Sequence, residues 1–129
     1  MPDDCPFCTP DPDRAFLETE RVIGLWDRYP VTAGHALIVP RRHVGDWFDA
    51  TIEERHALMD ALEPARAEIL KNHQPDGFNI GINIGRTAGQ TVFHLHVHLI
   101  PRYAGDHADP SGGIRAVIPE RARYGSNSE

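Results

Sequence analysis

The sequence predicts one α+β domain whose strands pair as antiparallel hairpins. Three observations carry this prediction. The chain has 129 residues, of which 40% are hydrophobic and 25% charged, so it is long enough for a core and typical of a globular protein. Four short apolar or alternating runs, bounded by Gly, Pro and Asp, are typical of strands. A single longer segment between them has helical periodicity.

The first two strands are predicted over residues 21–27 and 35–40. The second is a continuous apolar run, which indicates a buried strand. Residues 29–34 are rich in turn formers and connect the two strands as a hairpin. His35 stands where this loop becomes strand, a position where a lone histidine is more often structural than catalytic.

The helix is predicted to begin after Thr51, because Thr51 and Glu54 form a capping-box pattern. It runs toward Asn72, and Pro64 should kink it or split it in two. Its apolar face consists of Leu58, Leu62, Ala65 and Ile69. A turn at residues 75–77 ends it.

A third strand is predicted over residues 78–84, and a glycine-bearing loop, 85–89, leads into the fourth, 94–100. These two strands form a second hairpin, which should bring Asn83 near the fourth strand. In that strand three histidines, His94, His96 and His98, alternate with apolar residues. Successive side chains of a strand point to opposite faces, so the histidines should share one face. The opposite face, Phe93, Leu95, Val97 and Leu99, should meet the core.

The net charge of −6 argues against a basic surface for general nucleic-acid binding. No apolar run is long enough to cross a membrane. The acidic N-terminus has no apolar signal core, so we expect a cytoplasmic protein. Residues 1–124 are predicted to form the single domain, and 125–129 a polar tail.

The only cysteines, Cys5 and Cys8, form a Cys-x-x-Cys pattern. In a cytosolic chain this pattern is first read as a metal half-site or a redox pair. A tetrahedral zinc site needs two more ligands, and histidines are common ones. The candidates from the residues alone are His35, His43, His56, His73, His94 and His107.

The histidine row itself has two functional interpretations. It could bind a metal, since neutral imidazole is the commonest metal ligand. Alternatively, one imidazole could be a nucleophile, with the others supporting a transferring phosphoryl group. The Gly89-Gln90-Thr91 run just upstream favours the second, because it offers backbone N–H groups, an amide and a hydroxyl.

Residues 94–100 fit the pattern His-φ-His-φ-His-φ-φ, where φ is apolar. With their flanks at 30–40, 89–92 and 101–102, they resemble the histidine triad (HIT) family of nucleotide hydrolases and transferases, in particular its prokaryotic Hint-like and Fhit-like branches. The resemblance extends from about Cys5 to Pro119. It implies a sheet of about five antiparallel strands with one long helix across it, paired in a homodimer. It also implies a nucleotide substrate, a purine by family habit.

The resemblance further implies cleavage at the α-phosphate of dinucleoside polyphosphates or nucleoside phosphoramidates. His96 is similar to the family's nucleophile, which forms a nucleotidyl-histidine intermediate. His98 would donate to the phosphate oxygens, and His35 would support the attacking imidazole or the leaving group. The positions similar to substrate-binding ones are Asp27 for the ribose, Asn83, Gln90 and Thr91 for the phosphate, and Phe7, Leu25 and Ile23 for the base.

Several family members hold zinc through an N-terminal Cys-x-x-Cys and two histidines. The matching residues here are Cys5, Cys8, His43 and His94, which would be a closed structural site. His94 would then orient the strand, and His56, His73 and His107 would be surface residues. The alternatives to a hydrolase with a nucleotidyl-histidine intermediate are a nucleotidyl transferase or phosphorylase, a catalytic zinc hydrolase using the histidine row, and a nucleotide-binding protein without turnover.

Overall fold

The computed structural model describes residues 4–125. Its centre is a five-stranded sheet in the order β1-β2-β3-β5-β4, in which every neighbouring pair is antiparallel. The strands are β1 (Ala15–Glu18), β2 (Val22–Trp26), β3 (Ala36–Pro40), β4 (Gly77–Gly81) and β5 (Val97–Arg102). The expected sheet and both hairpins are confirmed.

The predicted helix is present as two pieces, α1 (Ile52–Asp60) and α2 (Leu62–Leu70). The capping box that begins α1 is confirmed, because Thr51 and Glu54 each accept from the other's backbone N–H. The break falls at Ala61, three residues before Pro64. Pro64 has no N–H to donate to the carbonyl of Asp60, and its ring crowds that carbonyl, so the helix is interrupted there.

The helices cover one face of the sheet and the N-terminal segment covers the other. On the helix side, apolar residues of the strands pack with those of α1 and α2 in one core: Val22, Ala36, Ile38, Val97, Leu99, Leu58, Ala65 and Ile69. On the opposite side Ile23, Leu25, Leu37 and Val39 pack beneath Cys5 and Phe7. This second face continues onto β5, where His98 lies opposite Leu37.

Three details differ from the sequence prediction. The last strand begins at Val97, not at His94, because the preceding backbone turns away: Leu95 donates its N–H to Val44, 2.8 Å away in another loop. Phe93 is 39% exposed and does not join the core. The third predicted strand ends at Gly81, so Asn83 lies in the following loop.

The structure also contains β1, a four-residue strand beside β2 that was not predicted from the sequence. After β5, residues up to 125 form only short 3-10 turns, such as Gly113–Val117. Of the predicted polar tail, residues 126–129 lie outside the described residues. Among residues 4–125, no helix has the length and apolar character needed to cross a membrane.

Candidate active site

A cavity of about 380 Å³ opens on the sheet face that carries the histidines. Its floor includes Leu37 and His98, which are paired across β3 and β5. Phe7 closes one side, with its ring centroid 5.1 Å from that of His96. The lining residues are Pro6, Phe7, Arg14, Asp27, Arg28, Tyr29, Leu37, Asn83, Gly89, Thr91, Val92, His96 and His98.

His96 presents an unprotonated nitrogen. Its Nδ1 lies 2.9 Å from the backbone oxygen of His94. A carbonyl oxygen only accepts, so Nδ1 carries the proton and donates it. In the neutral imidazole Nε2 is then left with a free lone pair, as a nucleophile requires.

His98 presents the opposite tautomer, which a chain of hydrogen bonds sets. Val31 donates its N–H to His35 Nδ1 at 3.0 Å, so the ring proton of neutral His35 is on Nε2. His35 Nε2 lies 3.0 Å from His98 Nδ1 and donates to it. His98 is therefore protonated on Nε2, where it can donate to an anion.

Burial keeps both members of this pair uncharged. The pKa of His98 is lowered to about 4, mainly by burial and also by the neighbouring His96 and His35, while Asp27 opposes the shift. Burial likewise lowers the pKa of His35, again opposed by Asp27. At neutral pH both rings are thus neutral, and the tautomers above hold.

Asp27, His35 and His98 offer ligand atoms within 4.8 Å of one another, a spacing that a metal could use. The tautomers argue against a metal there. His35 Nε2 carries a proton because Nδ1 already accepts from Val31, so binding a metal would require an imidazolate. His35 instead donates to His98, and Asp27 lies 3.4 Å from His35 Nε2; Asp27 and His98 line the cavity, and His35 lies behind them.

Asp27, Asn83 and Thr91, which the sequence analysis singled out, line the same cavity. One carboxylate oxygen of Asp27 accepts from the N–H of Tyr29 at 2.7 Å. The other lies 3.4 Å from His35 Nε2. Asp27 is therefore held by its own loop while its side chain keeps acceptor capacity for a ligand.

Gln90, Leu25 and His35 do not line this cavity. Gln90 is buried, and all of its polar atoms bind the backbone: Oε1 accepts from Gly85, and Nε2 donates to Gly45 and Val92. Leu25 is only 1% exposed, in the apolar layer with Leu37 and Ile23. These side chains support the walls without facing the space inside.

Three further cavity residues were not predicted from the sequence: Arg14, Arg28 and Leu37. Leu37 is set opposite His98 by the register of β3 and β5, which local sequence does not determine. Arg14 reaches the cavity from the 3-10 turn Pro12–Arg14, just before β1, the strand that was not predicted. Its Nε donates to the backbone oxygen of Trp26 at 2.9 Å.

The four predicted zinc ligands meet in one cluster next to the cavity. His94 Nδ1 lies 3.4 Å from Cys5 Sγ, 3.6 Å from Cys8 Sγ and 3.2 Å from His43 Nδ1. Cys8 Sγ is 3.1 Å from His43 Nδ1. Zinc bonds of about 2.0–2.3 Å at tetrahedral angles place ligand atoms roughly 3.3–3.8 Å apart, so the cluster is close to that size.

The chemistry of the donors also fits a metal. His94 Nε2 donates to the backbone oxygen of Pro40 at 2.8 Å, which leaves Nδ1 unprotonated and directed at the cluster. Burial lowers the pKa of His94 and so favours its neutral, ligating form. Two thiols and two imidazoles are a common structural zinc set.

Comparison with known proteins gives the family. The HIT domain model matches residues 9–105. The chain is 40% identical over 105 residues to an AP-4-A phosphorylase of Mycobacterium tuberculosis, covering 79% of this chain and 53% of that one.

Solved structures agree. A HIT family protein from Bacillus anthracis superposes with a TM-score of 0.74 at 36% identity, covering 82% of this chain and 78% of the other. A Zn-bound histidine triad family protein from Mycobacterium smegmatis superposes with a TM-score of 0.72 at 35% identity, covering 82% of this chain and 80% of the other. The chain belongs to the HIT family.

Proposed function

We propose that this protein is a nucleotide hydrolase that cleaves at the α-phosphate of dinucleoside polyphosphates or nucleoside phosphoramidates. One observation carries the proposal: His96 and His98 line one cavity with complementary tautomers. The first offers a lone pair and the second an N–H, which are the two groups that attack on a phosphoryl centre requires.

The reaction proceeds in two displacements. His96 Nε2 attacks the α-phosphorus, a P–N bond forms, and the bond to the leaving oxygen or nitrogen breaks. The leaving group departs with the bonding pair and takes a proton from solvent. Water then attacks the same phosphorus and loses a proton to solvent, and the P–N bond breaks with its electron pair returning to Nε2, which releases a nucleoside monophosphate and neutral His96.

Substrate is held by groups on several sides of the cavity. His98 Nε2–H donates to a non-bridging oxygen, where charge must be stabilised. Thr91 and Asn83 add polar contacts at that end, and Asp27 accepts from the ribose hydroxyls. The base lies between Phe7 and Leu37, the apolar part of the lining.

His35 and Gln90 act as positioning residues in this scheme. His35 fixes the tautomer of His98. Gln90 ties the loop before the histidines to Gly45 and Gly85. Leu25 supports the apolar wall from behind.

Zinc belongs to the proposal as a structural ion held by Cys5, Cys8, His43 and His94. With four protein ligands, no position stays open for water, so the metal would supply stability and no reacting group. A homodimer is also part of the proposal. β4 is an edge strand whose Ile80 is 48% exposed, and a second copy could cover it.

The test is product analysis with purified protein on diadenosine tetraphosphate and an adenosine phosphoramidate. Wild type should release AMP, and His96→Ala should not, while AMP still binds to both. His56→Ala, which changes an exposed histidine of α1, is the matched control and should keep full activity. If neither substrate yields AMP, or His96→Ala is as fast as wild type, the hydrolase proposal is wrong.

A phosphorylase is the second candidate, favoured by the Mycobacterium tuberculosis AP-4-A phosphorylase relative. Inorganic phosphate would then replace water in the second displacement, and ADP would replace AMP as the product. Adding phosphate to the diadenosine tetraphosphate assay separates the two. ADP formation that rises with phosphate would favour the phosphorylase, and unchanged AMP release the hydrolase.

A further inference from the structure

Arg14 presents a fixed pair of donors to the cavity. It is partly buried and lines the cavity, and its Nε–H donates to the backbone oxygen of Trp26 at 2.9 Å. Within residues 4–125 its two Nη groups have no hydrogen-bond or ion-pair partner. A guanidinium is planar and its donors form a rigid fork, so anchoring one edge orients the other.

The fork lies at the end of the cavity away from the phosphate-binding histidines. Ala15, next to Arg14, pairs with Leu25; Leu25 pairs with Leu37; and Leu37 pairs with His98. The Nε bond to Trp26 holds the guanidinium beside β2, and two inter-strand steps of about 4.8 Å, or about 10 Å in all, separate β2 from β5. The surface between is the apolar floor at Leu37, beneath Phe7.

A nucleotide with its α-phosphate at His96 and His98 would therefore place its base over Leu37 and direct the far edge of the base toward Arg14. Guanine and hypoxanthine present two acceptors on one edge, O6 and N7, which match an arginine fork. Adenine presents N7 and an N6 amino group, which is a donor and faces another donor there.

From this geometry we propose that Arg14 is a specificity-determining residue that selects 6-oxopurine nucleotides over adenine nucleotides. This inference rests on the proposed function, because the histidines define the phosphate end. Arg28 also lines the cavity, but it is exposed and makes no hydrogen bond or ion pair within the described chain. It contributes positive charge without a fixed orientation.

The test is calorimetric binding of GMP, IMP and AMP to the full-length protein, since the monophosphates are not turned over. Wild type should bind GMP and IMP alike, and both roughly 5- to 150-fold more tightly than AMP, the range expected for one bidentate arginine pair. IMP separates recognition of O6 and N7 from recognition of the 2-amino group.

Two variants then locate the selectivity. Arg14→Lys keeps the charge and loses the fork, and Arg14→Ala loses both; each should bring the GMP-to-AMP affinity ratio close to one. Arg28→Ala is the charge-matched control and should weaken GMP and AMP equally. Circular dichroism of each variant verifies the fold, and the lysine variant carries the test if Arg14→Ala does not fold.

The outcomes separate the two proposals. Equal affinity of wild type for GMP and AMP, or a ratio that survives in Arg14→Lys, would overturn the role of Arg14 and leave the hydrolase intact. A GMP-to-AMP affinity ratio that falls to one only in Arg28→Ala would also overturn the role of Arg14 and leave the hydrolase intact. No nucleotide binding, together with no cleavage of either substrate, would overturn both.

Discussion

His35 can serve His98 only as a hydrogen-bond donor. Its Nε2 lies 3.0 Å from His98 Nδ1, and its own Nδ1 is occupied by the N–H of Val31. Because the hydrogen bond runs in this direction, His98 directs an N–H into the cavity, and in the proposed reaction His35 acts only through His98.

The first prediction concerns this pair. His35→Ala should lower kcat by roughly 10- to 100-fold, because His98 can then adopt either tautomer and loses its orientation. KM should stay close to the wild-type value, since His35 does not line the cavity. His35→Gln, whose amide can donate to His98, should recover part of kcat. Steady-state kinetics on the phosphoramidate measures both, and a change in KM alone would contradict the prediction.

The second prediction concerns acid stability. His98 has a pKa of about 4 when folded and the ordinary value of 6.5 when unfolded. Above pH 6.5 the His98 ring is neutral in both the folded and the unfolded state, so it contributes nothing to the pH dependence of the free energy of unfolding. Between pH 6.5 and 4 only the unfolded state gains the proton, so the free energy of unfolding should fall as the pH falls. The free energy of unfolding should fall by no more than about 2 kcal/mol over this range, after allowance for solvent screening.

Urea denaturation at a series of pH values tests this. His98→Asn should show a shallower decline than wild type across that range. His56→Gln changes an exposed histidine and should leave the decline unchanged. Identical curves for wild type and His98→Asn would rule out His98 as the source.

The third prediction separates two roles for Gln90. Its side chain satisfies three backbone groups, at Gly85, Gly45 and Val92. Gln90→Ala should therefore lower the free energy of unfolding by about 1–3 kcal/mol as well as lowering activity. Thr91→Ala, at the exposed neighbouring position, should lower activity alone. Equal stability of Gln90→Ala and wild type would favour direct substrate contact by Gln90 over the positioning role.

The fourth prediction concerns zinc. Elemental analysis of the purified protein should find one zinc per chain, and Cys8→Ser should bind it more weakly or not at all. Since Phe7 lies between Cys5 and Cys8 and forms a cavity wall, chelation should raise KM more than it lowers kcat. His56→Ala should retain its zinc. Full zinc occupancy in Cys8→Ser would show that the metal lies elsewhere.

The parts of the fold that were predictable from sequence are those with local signals. Alternation predicted that His96 and His98 face the same side, and both line the cavity, whereas His94 does not share that face. The Thr51–Glu54 box predicted the start of α1. Pro64 accounted for the helix break. Each of these depends on neighbours within a few residues.

The remaining features depend on contacts between distant parts of the chain. His94 leaves the strand to meet Cys5, 89 residues earlier, and no local periodicity encodes that contact. Arg14 and Leu37 reach the cavity through the registers of β1 with β2 and of β3 with β5. Gln90 has a polar side chain that could bind a ligand, but because it is buried it binds only backbone atoms. The residue type alone does not indicate which of these it does.

Three histidine rings in this protein have their protons assigned by main-chain atoms: the N–H of Val31, the oxygen of His94 and the oxygen of Pro40. Every residue type has a backbone carbonyl, and every type except proline has a backbone N–H. The surrounding side chains can therefore change over evolutionary time without changing which nitrogen is basic, provided that the path of the backbone is kept. Sequence divergence around the site and constancy of its proton arrangement are thus compatible.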